Sequence, residues 1–192
     1  METRPGTGLL GAILAGGRST RMGTNKAHVV VDGRAMAESV RAALAAVCDG
    51  VVVVGGPDAD ISDSHEGPLG AVAALLHSGR ATRYLVAPVD QPRLTPSMLR
   101  RLLVAAVDLD DRSDGTAGNG FAFIGEPLPL LVDASAATRL DAALARGERR
   151  LRIAVTVEVD VGDDADALVN VNTPADVLAL VASPVTGRGP RA

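Results

Sequence analysis

The sequence predicts an α/β fold: a three-layer α/β/α arrangement whose mostly parallel sheet is covered by helices on both faces. Two observations predict it. Short apolar runs of strand length recur along the chain, punctuated by glycine or charge, and stretches with one apolar face at helical spacing separate them. Such alternation requires right-handed crossovers, and these place ligand sites at the carboxyl ends of the strands.

"LLGAILA" at 9–15 reads as a buried strand stopped by Gly16-Gly17. After a glycine-rich loop and a turn at Asp32-Gly33, Met36, Val40, Ala43, Leu44 and Val47 mark one face of a helix over 35–47. "GVVVVGG" at 50–56 is a second buried strand, and Leu69, Val72, Leu75 and Leu76 mark a helix ending near Gly79. "RYLVAPVD" is a third strand running into Asp90, and Thr95-Pro96 caps and opens a helix with Leu99, Leu102, Leu103 and Ala106 on one face. The polar segment 108–120 reads as a flexible excursion. Beyond it lie "FAFIGEPLPLLVD", a helix around Leu140 and Leu144, a strand-like stretch over 151–161, and a last helix opened by Thr173-Pro174-Ala175-Asp176, which has capping-box spacing. One domain over 8–182 is expected, with flexible tails at 1–7 and 183–192.

With 192 residues, 47% of them apolar, the chain can bury a sizeable core, while aromatic residues make up only 2%, leaving that core to Val, Leu, Ile and Ala. A formal charge of −4 offers no broad cationic face, which argues against nucleic acid as a partner. Cys48 is the only cysteine, so neither a disulfide framework nor a thiolate metal cluster forms within the chain. "METRPGTG" lacks the hydrophobic region of a secretory signal, and no apolar run is long enough to span a bilayer; a soluble, cytoplasmic protein with no membrane partner is expected.

The loop "LAGGRSTRMGTNK", 14–26, concentrates the chemistry. Gly16, Gly17 and Gly23 let backbone amides approach an anion without Cβ obstruction, and Arg18, Arg21 and Lys26 supply charge-assisted hydrogen bonds to phosphate oxygens. The pattern is neither G-x-G-x-x-G nor a P-loop, because Thr24-Asn25 separates Gly23 from Lys26. That disfavours hydride transfer and P-loop hydrolysis. A solvated surface loop is the competing reading.

The same loop resembles the signature of the MobA-like nucleotidyltransferases, the molybdenum-cofactor guanylyltransferases, whose pattern is L-A-G-G-x-S-x-R-M-G followed closely by lysine. "GPLGAVAALL" from Gly67, "APVDQP" around Asp90, "GERRLRIAV" from Gly147 and "LVNVNTPADVLAL" from Leu168 resemble further family segments in the family's order. The resemblance implies a Rossmann-like, GT-A-like nucleotidyltransferase fold. It implies that Leu14, Ala15, Gly16 and Gly17 border guanine and ribose, that Arg21 and Lys26 meet the phosphates, and that Asp90 holds Mg²⁺. Asp63, chosen over Asp58 and Asp60, is the acidic residue on the nucleotide. Asn170 and Asn172 are candidates for the pterin side, with Asn172 equally readable as the approach to a helix cap. Arg149 and Arg150, with Arg146 beside them, either meet the pterin phosphate or complement a helix end. Asp90 itself has a plainer reading as a turn or helix-start aspartate ahead of "QPRLTP". His28, His65 and His77 lack metal-ligand spacing.

The implied reaction is GMP transfer from GTP to molybdopterin, with molybdoenzymes or cofactor-delivery proteins as onward partners. Cytidine-using relatives carry L-A-A-G where this chain has Gly16-Gly17, which points to guanine, whereas "VDQP" is nearer to the cytidine users. Asn25, where the family often has aspartate, and "VGGP" after the second strand depart from the pattern. Cytidylyl transfer to the same pterin, nucleotidyl transfer to another small molecule such as a sugar phosphate, and a noncatalytic nucleotide- or pterin-binding carrier are the alternatives.

Overall fold

Alternation along the strands divides the core between two faces of one sheet. Ala12 and Leu14, Tyr84 and Val86, Leu130 and Val132, and Ala122 pack on one face, while Ile13, Leu85, Ala87, Leu131, Phe121 and Phe123 pack on the other. The computed structural model describes residues 8–16, 26–63, 66–110, 119–162 and 167–182. The strands are β1 (Leu9–Leu14), β2 (Val30–Val31), β3 (Arg34–Ala35), β4 (Gly50–Val54), β5 (Arg83–Pro88), β6 (Gly120–Phe123), β7 (Leu130–Asp133) and β8 (Val157–Val159). The helices are α1 (Met36–Ala45), α2 (Gly67–His77), α3 (Pro96–Asp110), α4 (Ala137–Ala145) and α5 (Pro174–Ala182).

The main sheet has six strands in the order β4-β1-β5-β7-β6-β8. β1 pairs in parallel with β4 and β5, and β6 with β8, whereas β7 runs antiparallel to both β5 and β6. Its direction follows from the chain: the connection 124–129 is too short for a crossover helix, so β6 and β7 join as a hairpin. α2 and α4 cover the first face, and α1 and α3 the second. This is the expected α/β layering. Each Leu or Phe brought fully inside, such as Leu85, Leu99 or Phe121, contributes roughly 1.5–3 kcal/mol of transfer free energy.

β2 and β3 form a separate hairpin around Asp32-Gly33, both at positive φ (50° and 79°), the backbone that an Asp-Gly pair tolerates best. Arg93 ties this hairpin to α5 by an ion pair with Asp32 at 3.1 Å and a hydrogen bond to the Leu180 carbonyl at 2.7 Å. α3 opens as expected, with the Met98 N–H donating to Thr95 Oγ1 at 3.3 Å. Among the described residues, no helix is long and apolar enough to cross a membrane.

Several expected boundaries move. Val47 lies beyond α1, which ends at Ala45. β4 is a half-buried edge strand rather than a fully buried one, its free edge met by a bridge from Ile61 to Val54 and by Asp60, whose carboxylate accepts the Val53 N–H at 2.8 Å. The strand expected over 151–161 is confined to β8; Leu151–Ala154 is a 3₁₀ turn that buries Leu151 and Ala154 under α2 and α4. The excursion expected at 108–120 is helical through Asp110 and strand from Gly120, and residues 111–118 lie outside the described ones.

Cys48 is half-buried behind α1, and that burial, with the charge of Asp49 beside it, pushes its thiol up to about 12. The thiolate is therefore scarce at pH 8. Native protein should react with a disulfide reagent at least ~100-fold more slowly than urea-unfolded protein, because the thiolate is the reactive form. Equal rates would contradict this placement.

Candidate functional site

The register of β1 aligns Leu14 with both Val54 and Pro88, so the carboxyl ends of β4, β1 and β5 finish level with one another. Beyond those ends opens a cleft of about 1390 Å³ whose walls include Leu14, Ala15 and Gly16, Gly55 to Asp58, Asp63, Lys26, Pro88 to Gln91, Glu126 to Leu128, and Asn170. This is where a doubly wound sheet is expected to hold its ligand. The chain leaving β1 is pinned on both sides: the Ala15 N–H donates to Val54 O at 2.9 Å, and the Val89 N–H donates to Leu14 O at 3.3 Å.

One wall is bare backbone. Gly55 has φ +73°, and a Cβ there would lie 2.9 Å from Gly16 Cα and 2.7 Å from Asp63 Oδ2. A Cβ on Gly16 would lie 2.5 Å from the same carboxylate oxygen. Two glycine backbones and the Asp63 carboxylate therefore share one space: a side chain at Gly55 would meet backbone, and one at Gly16 would have to displace the Asp63 carboxylate. Of the three acidic residues weighed from sequence, Asp60 is engaged at the β4 edge, Asp58 borders the cleft, and Asp63 reaches Gly16.

The other centre is charged. Lys26 Nζ lies 3.2 Å from Asp90 Oδ2 and donates to Asn172 Oδ1 at 2.7 Å. The side chains of Lys26 and Asp90 are only 17% and 22% exposed, so water screens this pair less than an open surface bridge. Asp90 is held by its own backbone, since its carbonyl accepts the Val171 N–H at 2.8 Å. Asn172 is held by the start of α5: its N–H and that of Thr173 each donate to Asp176 Oδ2 at 2.8 Å, while the Asp176 N–H donates to Thr173 Oγ1 at 3.2 Å. This is the reciprocal capping box that the spacing predicted. The two backbone N–H groups, with help from Thr173 and the charge of Lys26, hold the Asp176 carboxyl below the usual aspartate range. The Asn172 backbone thus serves the helix cap, as one of its two readings expected, while its side chain meets Lys26.

The remaining described candidates lie at the border of the cleft or on the surface. Arg149 donates to the Leu144 carbonyl in the last turn of α4 at 3.0 Å and pairs with Glu66 at 3.1 Å, the helix-end arrangement. Its backbone lies beside Gly67, which borders the cleft. Arg150 is exposed, with its N–H on Glu148 Oε1 at 2.9 Å. Asn170 is exposed on the cleft wall. Gly17 and Arg21 lie outside the described residues. Sequence reading missed Gln91, which is buried beside Asp90, and the 126–128 wall; neither carries a charge cluster or a glycine pattern that would mark it.

Among the described residues there is no group of three or more His, Cys, Asp or Glu side chains able to cage a metal. A carboxylate outside any such cluster suits a cation that takes its remaining ligands from phosphate and water, as Mg²⁺ does, and Asp90 on the cleft wall is a residue that could serve so.

Comparison with known proteins matches residues 11–159 to the MobA-like NTP transferase domain. The molybdenum cofactor guanylyltransferase of Xanthomonas euvesicatoria pv. vesicatoria is 35% identical over 188 residues, covering 93% of this chain and 95% of that protein. The probable molybdenum cofactor guanylyltransferase of Deinococcus radiodurans is 31% identical over 195 residues, covering 94% and 95%. Among solved structures, molybdopterin-guanine dinucleotide biosynthesis protein A from Archaeoglobus fulgidus shares the fold with a TM-score of 0.69 at 23% identity, over 90% of this chain and 97% of that one. The 2-C-methyl-D-erythritol 4-phosphate cytidylyltransferase of Thermus thermophilus shares it at 0.63 and 16% identity, over 89% and 96%.

The bare wall makes a sharp demand on Gly55. Gly55→Ala combines a left-handed backbone with contacts to Gly16 and Asp63, and is expected to lower the unfolding free energy by about 1–3 kcal/mol, read from the urea midpoint. An unchanged midpoint would mean that the wall is looser than described.

Proposed function

The chain belongs to the MobA-like NTP transferase family, and on that premise we propose that it transfers GMP from GTP to molybdopterin, releasing pyrophosphate. The observation that carries this reading is the Lys26–Asp90 pair, set across the end of the sheet from the backbone bend at Leu14, Ala15 and Gly16. The names of the guanylyltransferase relatives support the choice of substrates.

In the proposed reaction a phosphate oxygen of molybdopterin attacks the α-phosphorus of GTP. A new P–O bond forms, the α–β bridging P–O bond breaks, and its electron pair leaves on pyrophosphate. A phosphate monoester is already anionic near neutral pH, so the residues need only position and neutralise. Leu14, Ala15 and Gly16 offer backbone to the base and ribose, Asp63 offers a carboxylate to N–H donors of guanine, and Lys26 draws negative charge at the phosphates. Gly17 and Arg21 join them by the family pattern. Asp90 is the residue that would hold Mg²⁺, which when bound would offset negative charge on the phosphates. Asn172 steadies Lys26. Asn170 on the cleft wall, Arg149 beside Gly67 at the cleft border, and Arg150 next to it in sequence are the groups assigned to the pterin. The dinucleotide product would pass to molybdoenzymes or cofactor-delivery proteins.

Pyrophosphate release measured with molybdopterin and either GTP or CTP tests the reading. GTP should be preferred, and Asp90→Ala should lower kcat by about 10²–10³-fold, the usual loss when one electrostatic contact to the transition state is removed, while GTP binding changes only severalfold. A preference for CTP overturns the base assignment, and absence of metal-dependent pyrophosphate release in the unaltered protein leaves a carrier.

A further inference from the structure

Gln91 is the one polar side chain fully buried among the described residues, at 1% exposure. It follows Asp90 directly and takes no part in the chemistry above. Its Nε2 donates to the Leu128 and Leu168 carbonyls, each at 3.3 Å. Those acceptors fix the orientation of the amide, since the reverse would set Oε1 against two carbonyl oxygens. Oε1 is buried and has no protein partner among the described residues. A buried amide satisfied only on its donor side is a poor device for stability, because an apolar side chain of similar size would avoid the desolvation cost.

The amide instead joins three segments. Leu128 closes the 126–128 cleft wall, and Leu168 opens the stretch 168–172 that carries Asn170 and Asn172. Val171 in that stretch donates to Asp90 O at 2.8 Å, so the Asp90-Gln91 dipeptide grips 168–172 at two points and 126–128 at one. Where Asn172 meets Lys26 is therefore set by this grip at one end and by the capping box at the other. The geometry points to Gln91 as a positioning residue, an amide clamp that registers the Lys26, Asp90 and Asn172 cluster for transfer. This inference rests on the nucleotidyl transfer proposed above.

The test is Gln91→Met, which keeps the volume and removes both donors. The readouts are steady-state kinetics, thermal midpoint and amide hydrogen exchange at Val171. The clamp predicts Val171 exchange faster by about tenfold or more, and kcat lower by about tenfold or more, as expected when reacting groups lose register. KM for the nucleotide should stay within about threefold, because the bend at Leu14 to Gly16 is untouched, and the midpoint should hold or rise. Gln91→Glu, which faces the two carbonyls with oxygen, should lose kcat at least as severely. Unchanged Val171 exchange overturns the clamp whatever the activity. Faster exchange with full kcat overturns its role in transfer, and parallel loss of midpoint, kcat and nucleotide KM reduces Gln91 to a structural residue. If the unaltered protein turns over no nucleotide, the transfer reading fails on its own, and Val171 exchange still decides the clamp.

Discussion

The ion pair between Lys26 and Asp90 is the contact on which the rest of the site depends, because it joins segments that share no strand or helix. Lys26 enters from the chain that follows β1, and Asp90 stands just past the end of β5. Asn172 completes the group from the approach to α5. The two groups that hold Lys26 are each fixed by something else: Asp90 by Val171, and Asn172 by the Asp176 cap. A cation so held is presented rather than left to wander, which suits a group that must meet phosphate without rearranging. The pair also balances the site, since a lone partly buried charge would be unfavourable at either position.

The scaffold explains why the pair lies where it does. β1 and β5 are adjacent parallel strands, so their carboxyl ends emerge side by side, and β4 on the far flank contributes the Gly55-Gly56 turn against the Gly16 backbone. Fully buried side chains on both faces leave the sheet little freedom to tilt. The wall of bare glycine backbone and the charged cluster thus stand on opposite sides of one strand end. β7, reversed between β5 and β6, brings the 126–128 connection to the same end and closes the cleft on its third side.

Most of the scaffold was legible because its signals are local. β1 and β5 are apolar runs with sharp stops, Thr95-Pro96 and Thr173-Pro174 announce helix starts, and Asp32-Gly33 announces its hairpin. What was misread depends on distant partners. Nothing in "GVVVV" says that β4 lies at an edge, and Leu151-Arg152-Ile153-Ala154 alternates like a strand until α2 and α4 bury it as a 3₁₀ turn. The site divides in the same way. Lys26 and Asp90 stand out by charge and motif, whereas the Asn172 side chain reaches Lys26 across 146 positions of sequence, and Gln91 matters through carbonyls of no particular residue type.

The most direct measurement is a crystal structure with a non-hydrolysable GTP analogue and Mg²⁺. A phosphate oxygen is expected within about 3 Å of Lys26 Nζ, the metal on the Asp90 carboxylate, and the base along Leu14, Ala15 and Gly16 with Asp63 at its edge. A nucleotide bound away from both Lys26 and Asp90 would be the contradicting result.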